Sequence, residues 1–244
     1  MSSATDIELS VIIPAYNESE RIGPTLDNVR RFLAGKSYRS EVIVVDDGSR
    51  DRTRHVVGAQ ILDWPNFSLL ELSENIGKGG AVAAGMKEAK GKLRLYMDAD
   101  NSTDICHWDA IHAAFREGAD VVVGSRRVPG AQVALRQPLH REMLGAAFRF
   151  IVRILAPTNV EDSQCGFKAF SAAAADRLFA SQITTRWAFD VELLRRARRY
   201  KFRVDEVPVI WNNDRRSHMR FSEMLSMAVD LVRIRIWVDA AARQ

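Results

Sequence analysis

Glu41-Val-Ile-Val-Val-Asp-Asp-Gly-Ser49 decides the fold. Four β-branched residues in a row make an apolar run of strand length, and it stops in an Asp-Asp-Gly-Ser turn. A strand that is apolar on both faces belongs in a sheet covered on both sides. The pattern recurs outward from it. Leu9-Ser-Val-Ile-Ile-Pro-Ala15 is a strand before it, and Phe67 to Leu72, Lys92 to Met97 and Asp120 to Gly124 are three after it. Helical spacing lies between them at Pro24 to Leu33, from Asp51 through Val57, at Gly79 to Ala89 and at Trp108 to Glu117. This alternation with short connections predicts an α/β fold, a mostly parallel sheet with helices on both faces. Ligands of such sheets sit outside the carboxyl ends of the strands. Those ends are Tyr16-Asn17-Glu18, Asp46-Asp47-Gly48, Asn75 to Lys78, Asp98-Ala99-Asp100 and Ser125-Arg126.

The texture changes past residue 130. Pro138 to Leu155 reads as a helix, Val160 to Phe170 as a loop or short strand, and Asp176 to Phe179 and Phe189 to Tyr200 as helices. Arg203 to Ile210 is strand-like, Asn212 to His218 is a polar loop, and Phe221 to Val238 is a closing amphipathic helix. No linker divides the chain. The sequence is one domain of 244 residues, long enough to bury a sizeable core, and 47% hydrophobic with 27% charged residues excludes disorder. A net charge of +4 suits nucleotides, phosphates or an anionic membrane surface and is too small to imply nucleic-acid binding. Two cysteines, Cys106 and Cys165, make no disulfide framework, so a reducing cytosol is expected. No apolar run reaches the roughly 18 residues of a membrane span. The chain is therefore expected to be soluble or to lie on a membrane without crossing it.

Each motif has a functional and a plainer reading. Asp98 and Asp100, two residues apart at a strand end, can converge on one Mg²⁺ or Mn²⁺, or form a solvated turn. Asp46 and Asp47 can accept hydrogen bonds from a base or ribose, or shape a turn around Gly48 that Ser49 caps. Asn75-Ile-Gly-Lys-Gly-Gly80 can cradle phosphate at a helix start, or be only a flexible turn. Arg126, directly after the fifth strand, and Arg141 can grip phosphate with their forked donors, or form a solvated basic face. Two stripes, Leu139 to Leu155 with Arg141, Arg149 and Arg153, and Phe221 to Val232 with Arg233 and Arg235, fit a membrane interface or a core-facing helix. Asp190 and Glu192 can act as acid or base, or pair with Arg195 and Arg196.

Taken together, Val11-Ile-Ile-Pro-Ala-Tyr-Asn-Glu18, Val44-Val-Asp-Asp-Gly-Ser49, Asn75-Ile-Gly-Lys-Gly79 and Met97-Asp-Ala-Asp100 resemble the ordered motifs of the family 2 glycosyltransferases. Asp162-Ser-Gln-Cys-Gly-Phe-Lys-Ala-Phe170, Arg186-Trp-Ala-Phe-Asp-Val-Glu-Leu-Leu194 and Glu206-Val-Pro-Val-Ile-Trp211 look like the dolichyl-phosphate glucosyltransferase subgroup, with polyprenyl-phosphate mannose synthases as relatives. The resemblance implies a GT-A fold and an inverting transfer of a hexose to a lipid phosphate. Glucose from UDP-glucose is the first expectation; mannose from GDP-mannose, or transfer to a hydroxyl with Asp190 as base, is the alternative.

Carried over by position, Pro14, Tyr16, Glu18, Asp46 with Asp47, and Lys78 hold the donor. Asp98 and Asp100 engage metal and diphosphate. Arg126, Arg141, Gln164 and Trp187 serve the acceptor side, and Asp190 lines it. The implied division is a donor half over residues 1–125, an acceptor half over 126–220, and a C-terminal amphipathic helix over 221–244. The implied place is the cytoplasmic face of a membrane, as a peripheral protein able to form a homo-oligomer. There are departures. Ser102 stands where mannose synthases often place a Gln ligand, and Arg215-Arg216-Ser217-His218 where relatives often show Gly-Ser-Lys.

Overall fold

The computed structural model describes residues 6–61, 64–134, 145, 149–212 and 221–240; in the last stretch the described side chains are those of residues 227 and 229–238. In chain order the elements are β1 (Leu9–Ala15), α1 (Ile22–Ala34), β2 (Ser40–Asp46), α2 (Thr53–Ile61), β3 (Phe67–Glu71), α3 (Lys78–Glu88), β4 (Leu93–Met97), α4 (Trp108–Arg116), β5 (Val121–Ser125) and β6 (Gln132–Val133). A helical segment over residues 149–155, α5, follows. Then come β7 (Phe167–Ser171), α6 (Ala172–Ala180), α7 (Phe189–Arg199), β8 (Val204–Pro208), β9 (Ile210–Trp211) and α8 (Phe221–Ala240). Arg136, Arg141 and the loop Arg215 to His218 lie outside the described residues.

Seven strands form one sheet in the order β3-β2-β1-β4-β7-β5-β8. All neighbours run parallel except β7, which is antiparallel to both β4 and β5. The sheet is thus mostly parallel, as expected. The segment read as a loop or short strand is its central antiparallel member. The crossover through α4 carries the chain from β4 past one vacant slot, and β7 fills it. Because β7 runs the other way, its entry end meets the exit ends of β4 and β5: Phe167 pairs with Met97. The residues just before β7 therefore join the ligand edge. β6 and β9 form a separate two-stranded parallel ribbon that sequence reading missed.

Strand parity divides the core between the two faces. Leu9, Val11, Ile13, Val42, Val44, Leu95, Met97 and Val122 point to one face, against Ile22, Leu26 and Val29 of α1, Val57 of α2 and Trp108 and Ile111 of α4. Ile12, Ile43, Val45, Tyr96, Val121, Val123 and Phe170 point to the other, against α3, α6 and α7. A third cluster joins Val152 and Ala156 to Ala188 and Val191 and to Met227, Leu231, Ile234 and Val238. α8 therefore packs on α5 and α7. Among the described residues no helix is long and apolar enough to cross a membrane.

Candidate active site

The exit ends of β1, β2 and β4 lie side by side, and the residues expected to hold the donor gather there. Gly48 turns the chain after β2 at φ +70°, where a side chain is strained and a Cβ would stand 2.8 Å from the Glu74 carbonyl carbon. The turn leaves Asp46 fully buried. Its Oδ2 accepts from the Ser49 N–H at 3.1 Å and from Arg54 Nε at 2.7 Å. Its Oδ1 is buried without a hydrogen-bond partner. A buried carboxylate oxygen left unmatched is costly, so the position suits a ligand N–H or O–H of the kind a nucleobase or ribose carries.

Asp47 has a different place from the one expected. Its carboxylate accepts from Asn75 Nδ2 at 2.9 Å, from the Ile76 N–H at 2.8 Å and from the Gly77 N–H at 3.0 Å. It latches the loop before α3 instead of facing a ligand. The glycines of that loop also have another reason than a phosphate cradle. Gly77 sits at φ +94°, and a Cβ there would stand 2.6 Å from the Thr185 carbonyl oxygen; one on Gly79 would meet Phe189 at 2.7 Å. The Gly80 N–H donates to Thr185 O at 2.9 Å. These glycines admit the chain entering α7.

Lys78, between them, reaches Asp98: Nζ lies 2.5 Å from Oδ1. The ammonium stands 5.7 Å from the Trp187 ring centre and 6.0 Å from that of Tyr96. Burial works against its charge, but Asp98 and Asp190 outweigh it and raise its pKa. Asp100 Oδ1 accepts from the Ser102 N–H at 2.9 Å and from its hydroxyl at 2.6 Å. Arg21 Nη1 lies 3.8 Å from Asp100 Oδ2 while its Nε and Nη2 bind Glu18, each at 2.6 Å. Burial raises the Glu18 pKa to about 7; Arg21 opposes this, and Asp100 and Asp98 add to it. Asp100 is raised too, by burial and then by Asp98. Tyr16 is exposed at the end of β1, and Pro14 is buried within that strand.

Carboxylates crowded against one another in this way favour a cation between them. Among the described residues no three His, Cys, Asp or Glu side chains converge on one point. Ser102 is engaged with Asp100. Two hard oxygen donors fit Mg²⁺ or Mn²⁺, which keep several positions for water and diphosphate oxygens.

Arg126, expected to serve the acceptor, stands in an ion pair that the sequence does not show. Arg126 donates to Asp162 from Nε at 2.6 Å, from Nη2 at 2.8 Å and from its backbone N–H at 3.0 Å. Its guanidinium stands 5.1 Å from the ring centre of Trp211. Burial pushes the Asp162 carboxyl up, yet Arg126 holds it down at about 2. Glu206 in turn accepts the backbone N–H of Glu161 and Asp162, at 2.8 and 3.1 Å. Gln164 reaches Met227 of α8, Nε2 to Sδ 3.9 Å.

Gly166 abuts Asp98: a Cβ would lie 1.9 Å from Oδ2. Trp187 is 39% exposed. Asp190 is only 4% exposed, and Oδ1 accepts from the Tyr96 hydroxyl and from Lys168 Nζ at 2.7 Å. Held in this way, it is not placed as a general base. Glu192 is fully buried and accepts from the Ile183 and Thr184 N–H groups, the Thr184 hydroxyl and Arg196. Of the residues missed, Arg21 had a local signal, three residues after Glu18 in a helix start. Asp162, Gly166 and Lys168 lie in a stretch that carries the resemblance, but nothing local shows their roles, because their partners lie far along the chain.

A family model described as Glycosyl transferase family 2 matches residues 10–179. A dolichyl-phosphate beta-glucosyltransferase of Trichomonas vaginalis is 39% identical over 249 residues, covering 98% of this chain and 74% of the relative. Proteins of the same name from Drosophila melanogaster and Homo sapiens are 38% and 33% identical, covering 98% and 94% of this chain and 77% and 75% of the relatives. Among solved structures, glucosyl-3-phosphoglycerate synthase of Mycobacterium tuberculosis, in complex with Mn²⁺, UDP and phosphoglyceric acid, superposes with a TM-score of 0.69 at 18% identity, over 95% of this chain and 78% of that one. Mannosyl-3-phosphoglycerate synthase of Rubrobacter xylanophilus gives 0.70 at 16%, over 98% and 76%. At these identities the structures speak for the fold, which is GT-A.

Proposed function

The chain belongs to glycosyl transferase family 2, and from that premise we propose that it transfers glucose from UDP-glucose to a dolichyl or other polyprenyl phosphate, with inversion at the sugar. One observation carries the reading: likeness at 33–39% identity, over nearly the whole chain, to proteins named for that reaction. Asp46, with one buried oxygen unmatched, receives the uracil or ribose of the donor. Tyr16 and Glu18 border it, and Lys78 stands over the diphosphate. Asp98 and Asp100 hold Mg²⁺ or Mn²⁺, which when bound offsets the charge of the departing UDP as a Lewis acid.

The acceptor phosphate is its own nucleophile. A phosphate monoester has a second pKa near 6 and is largely ionised at pH 7. It needs a site that aligns two anions and balances their charge, not a strong base. The engagement of Asp190 by Tyr96 and Lys168 supports this acceptor over a hydroxyl, which would need a free base in reach. Arg126 orients the acceptor phosphate, and Gln164 and Trp187 serve the same acceptor from where they stand, against Met227 and at the Lys78 ammonium. Residues 1–125 form the donor half and 126–220 the acceptor half.

The same reading puts the protein on a membrane surface, where its acceptor resides. Phe150 and Ile154 of α5 and Val229, Ile236 and Trp237 of α8 each expose more than half of their surface. Arg153 and Arg233 stand among them with 64% and 66% of their side chains exposed. An apolar face with arginines at its border fits an anionic lipid interface.

The test is transfer of labelled sugar from a panel of nucleotide sugars to a short polyprenyl phosphate in detergent, with and without Mg²⁺ or Mn²⁺. Metal-dependent glucosyl lipid from UDP-glucose alone is the expected result. Metal-dependent donor hydrolysis without lipid product would move the acceptor to a hydroxyl.

A further inference from the structure

Lys168 puts a charge on an apolar face of β7. Its side chain points to the sheet face that Tyr96, Val121, Val123 and Phe170 make apolar, under α7, and it is fully buried. Three acceptors from three elements meet its ammonium: Asp190 Oδ1 of α7 at 2.7 Å, the Cys165 carbonyl before β7 at 2.5 Å, and the Tyr96 hydroxyl of β4 at 3.2 Å. As a stabilising device a buried ion pair is poor, because desolvation offsets most of the attraction and an apolar pair of similar volume holds a fold as well. What such a pair does supply is direction, since both partners must stay in register to remain satisfied.

The directions here converge on one place. The bond to Cys165 O draws the turn before β7 onto the end of β4, and the next residue, Gly166, is the wall against Asp98 with no room for a Cβ. The bond to Asp190 fixes the first turn of α7, and Trp187 just before it faces the Lys78 ammonium. Asp98 and Lys78 are themselves the pair at 2.5 Å. One ammonium thus ties both walls of the Asp98–Lys78 pair.

We propose that the buried Lys168–Asp190 pair is a positioning unit for the diphosphate end of the donor site, setting Asp98 through the Cys165–Gly166 turn and Lys78 through the entry to α7. The proposal rests on the donor reading above. Neither residue touches the substrate; each acts through the residues it holds.

The double variant Lys168→Met, Asp190→Asn removes both charges and leaves the Tyr96 hydroxyl an amide oxygen to bond. Three readouts separate positioning from structure: thermal unfolding, calorimetric affinity for UDP in the presence of Mn²⁺, and kcat and KM for each substrate. The expected result is a melting temperature close to wild type. UDP affinity and kcat should each fall at least about tenfold, the scale on which small misplacements act, with the lipid KM within twofold. Wild-type affinity and kcat in the folded variant would overturn the proposal. Should the double variant not fold, Asp190→Asn alone carries the same readouts and the same refutation. Wild-type protein that binds no UDP with Mn²⁺ would overturn the donor reading and this proposal with it. Binding by the wild type and an unaffected variant would overturn only this one.

Discussion

The proposed donor and acceptor sides of the sheet edge hold their key charges in opposite ways. On the donor side Asp46 is anchored by Ser49 and Arg54 through one oxygen and keeps the other unmatched. On the acceptor side Arg126 has its fork filled by Asp162 and its face against Trp211. The first arrangement is a group prepared for a ligand before the ligand comes, which reduces the ordering cost of binding. The second is a cation kept in register by an anion, which an acceptor phosphate must share. The difference implies that donor-side changes act on affinity and chemistry together, while acceptor-side changes act chiefly on the acceptor.

The largest expected effect lies between the two sides. Asp100→Ala should lower transfer at least about a thousandfold, since it removes a group aimed at the developing charge. Near-normal turnover would break the metal assignment. Gly166→Ala comes next: the added Cβ must displace Asp98, and a shift of that size should lower kcat on the order of a hundredfold. Asp46→Ala should weaken UDP binding about tenfold to a hundredfold, the range of one hydrogen bond to a charged group, and leave the lipid KM unchanged. An equal loss on both substrates would dissolve the contrast.

Asp162→Asn sharpens the acceptor side. It should raise the lipid KM several-fold, about the effect of losing one charge-assisted bond, with UDP affinity unchanged. It also has a pH signature. The Asp162 carboxyl sits at about 2 in the folded chain against 3.8 ordinarily, so its folded pKa is depressed. Its contribution to stability is present above 3.8 and is lost as the pH falls toward 2; for a shift of this size it is about 2 kcal/mol. In urea titrations the gap between wild type and Asp162→Asn should be full at pH 6 and nearly closed at pH 2. A gap that does not narrow would show that the pair is not the source.

Legibility followed the range of the contacts. β1 to β5 could be read because runs such as Val42 to Val45 carry their own signal, and the observed bounds differ from the expected ones by at most one residue. Asp98 and Asp100 stand out in the sequence as a pair for the same reason, and their metal role is a proposal. β7 reads only as a loop or short strand, because Phe-Lys-Ala-Phe-Ser places a lysine where the pattern calls for an apolar side chain, and its reason, Asp190, is 22 residues on. The glycines at 77 and 79 looked like a phosphate loop because their neighbours, Thr185 and Phe189, lie over a hundred residues away. Asp47 was misjudged because two adjacent acids look alike until the loop that one of them holds is in place.

The antiparallel insertion of β7 has a consequence for the order in which the protein comes into being. A nascent chain that has emerged only as far as β5 carries every residue proposed to hold the donor, yet β5 can find neither of its sheet neighbours, since β7 and β8 are still to be synthesised. β4 is left with an open edge, and Asp98 lacks the Gly166 wall. The sheet closes only when a late segment inserts between two early strands, a high-contact-order step that is slow and leaves edges exposed while it waits. The joining of β5 to β4 and the closing of Gly166 onto Asp98 are therefore one event, timed by the arrival of residues 167–171.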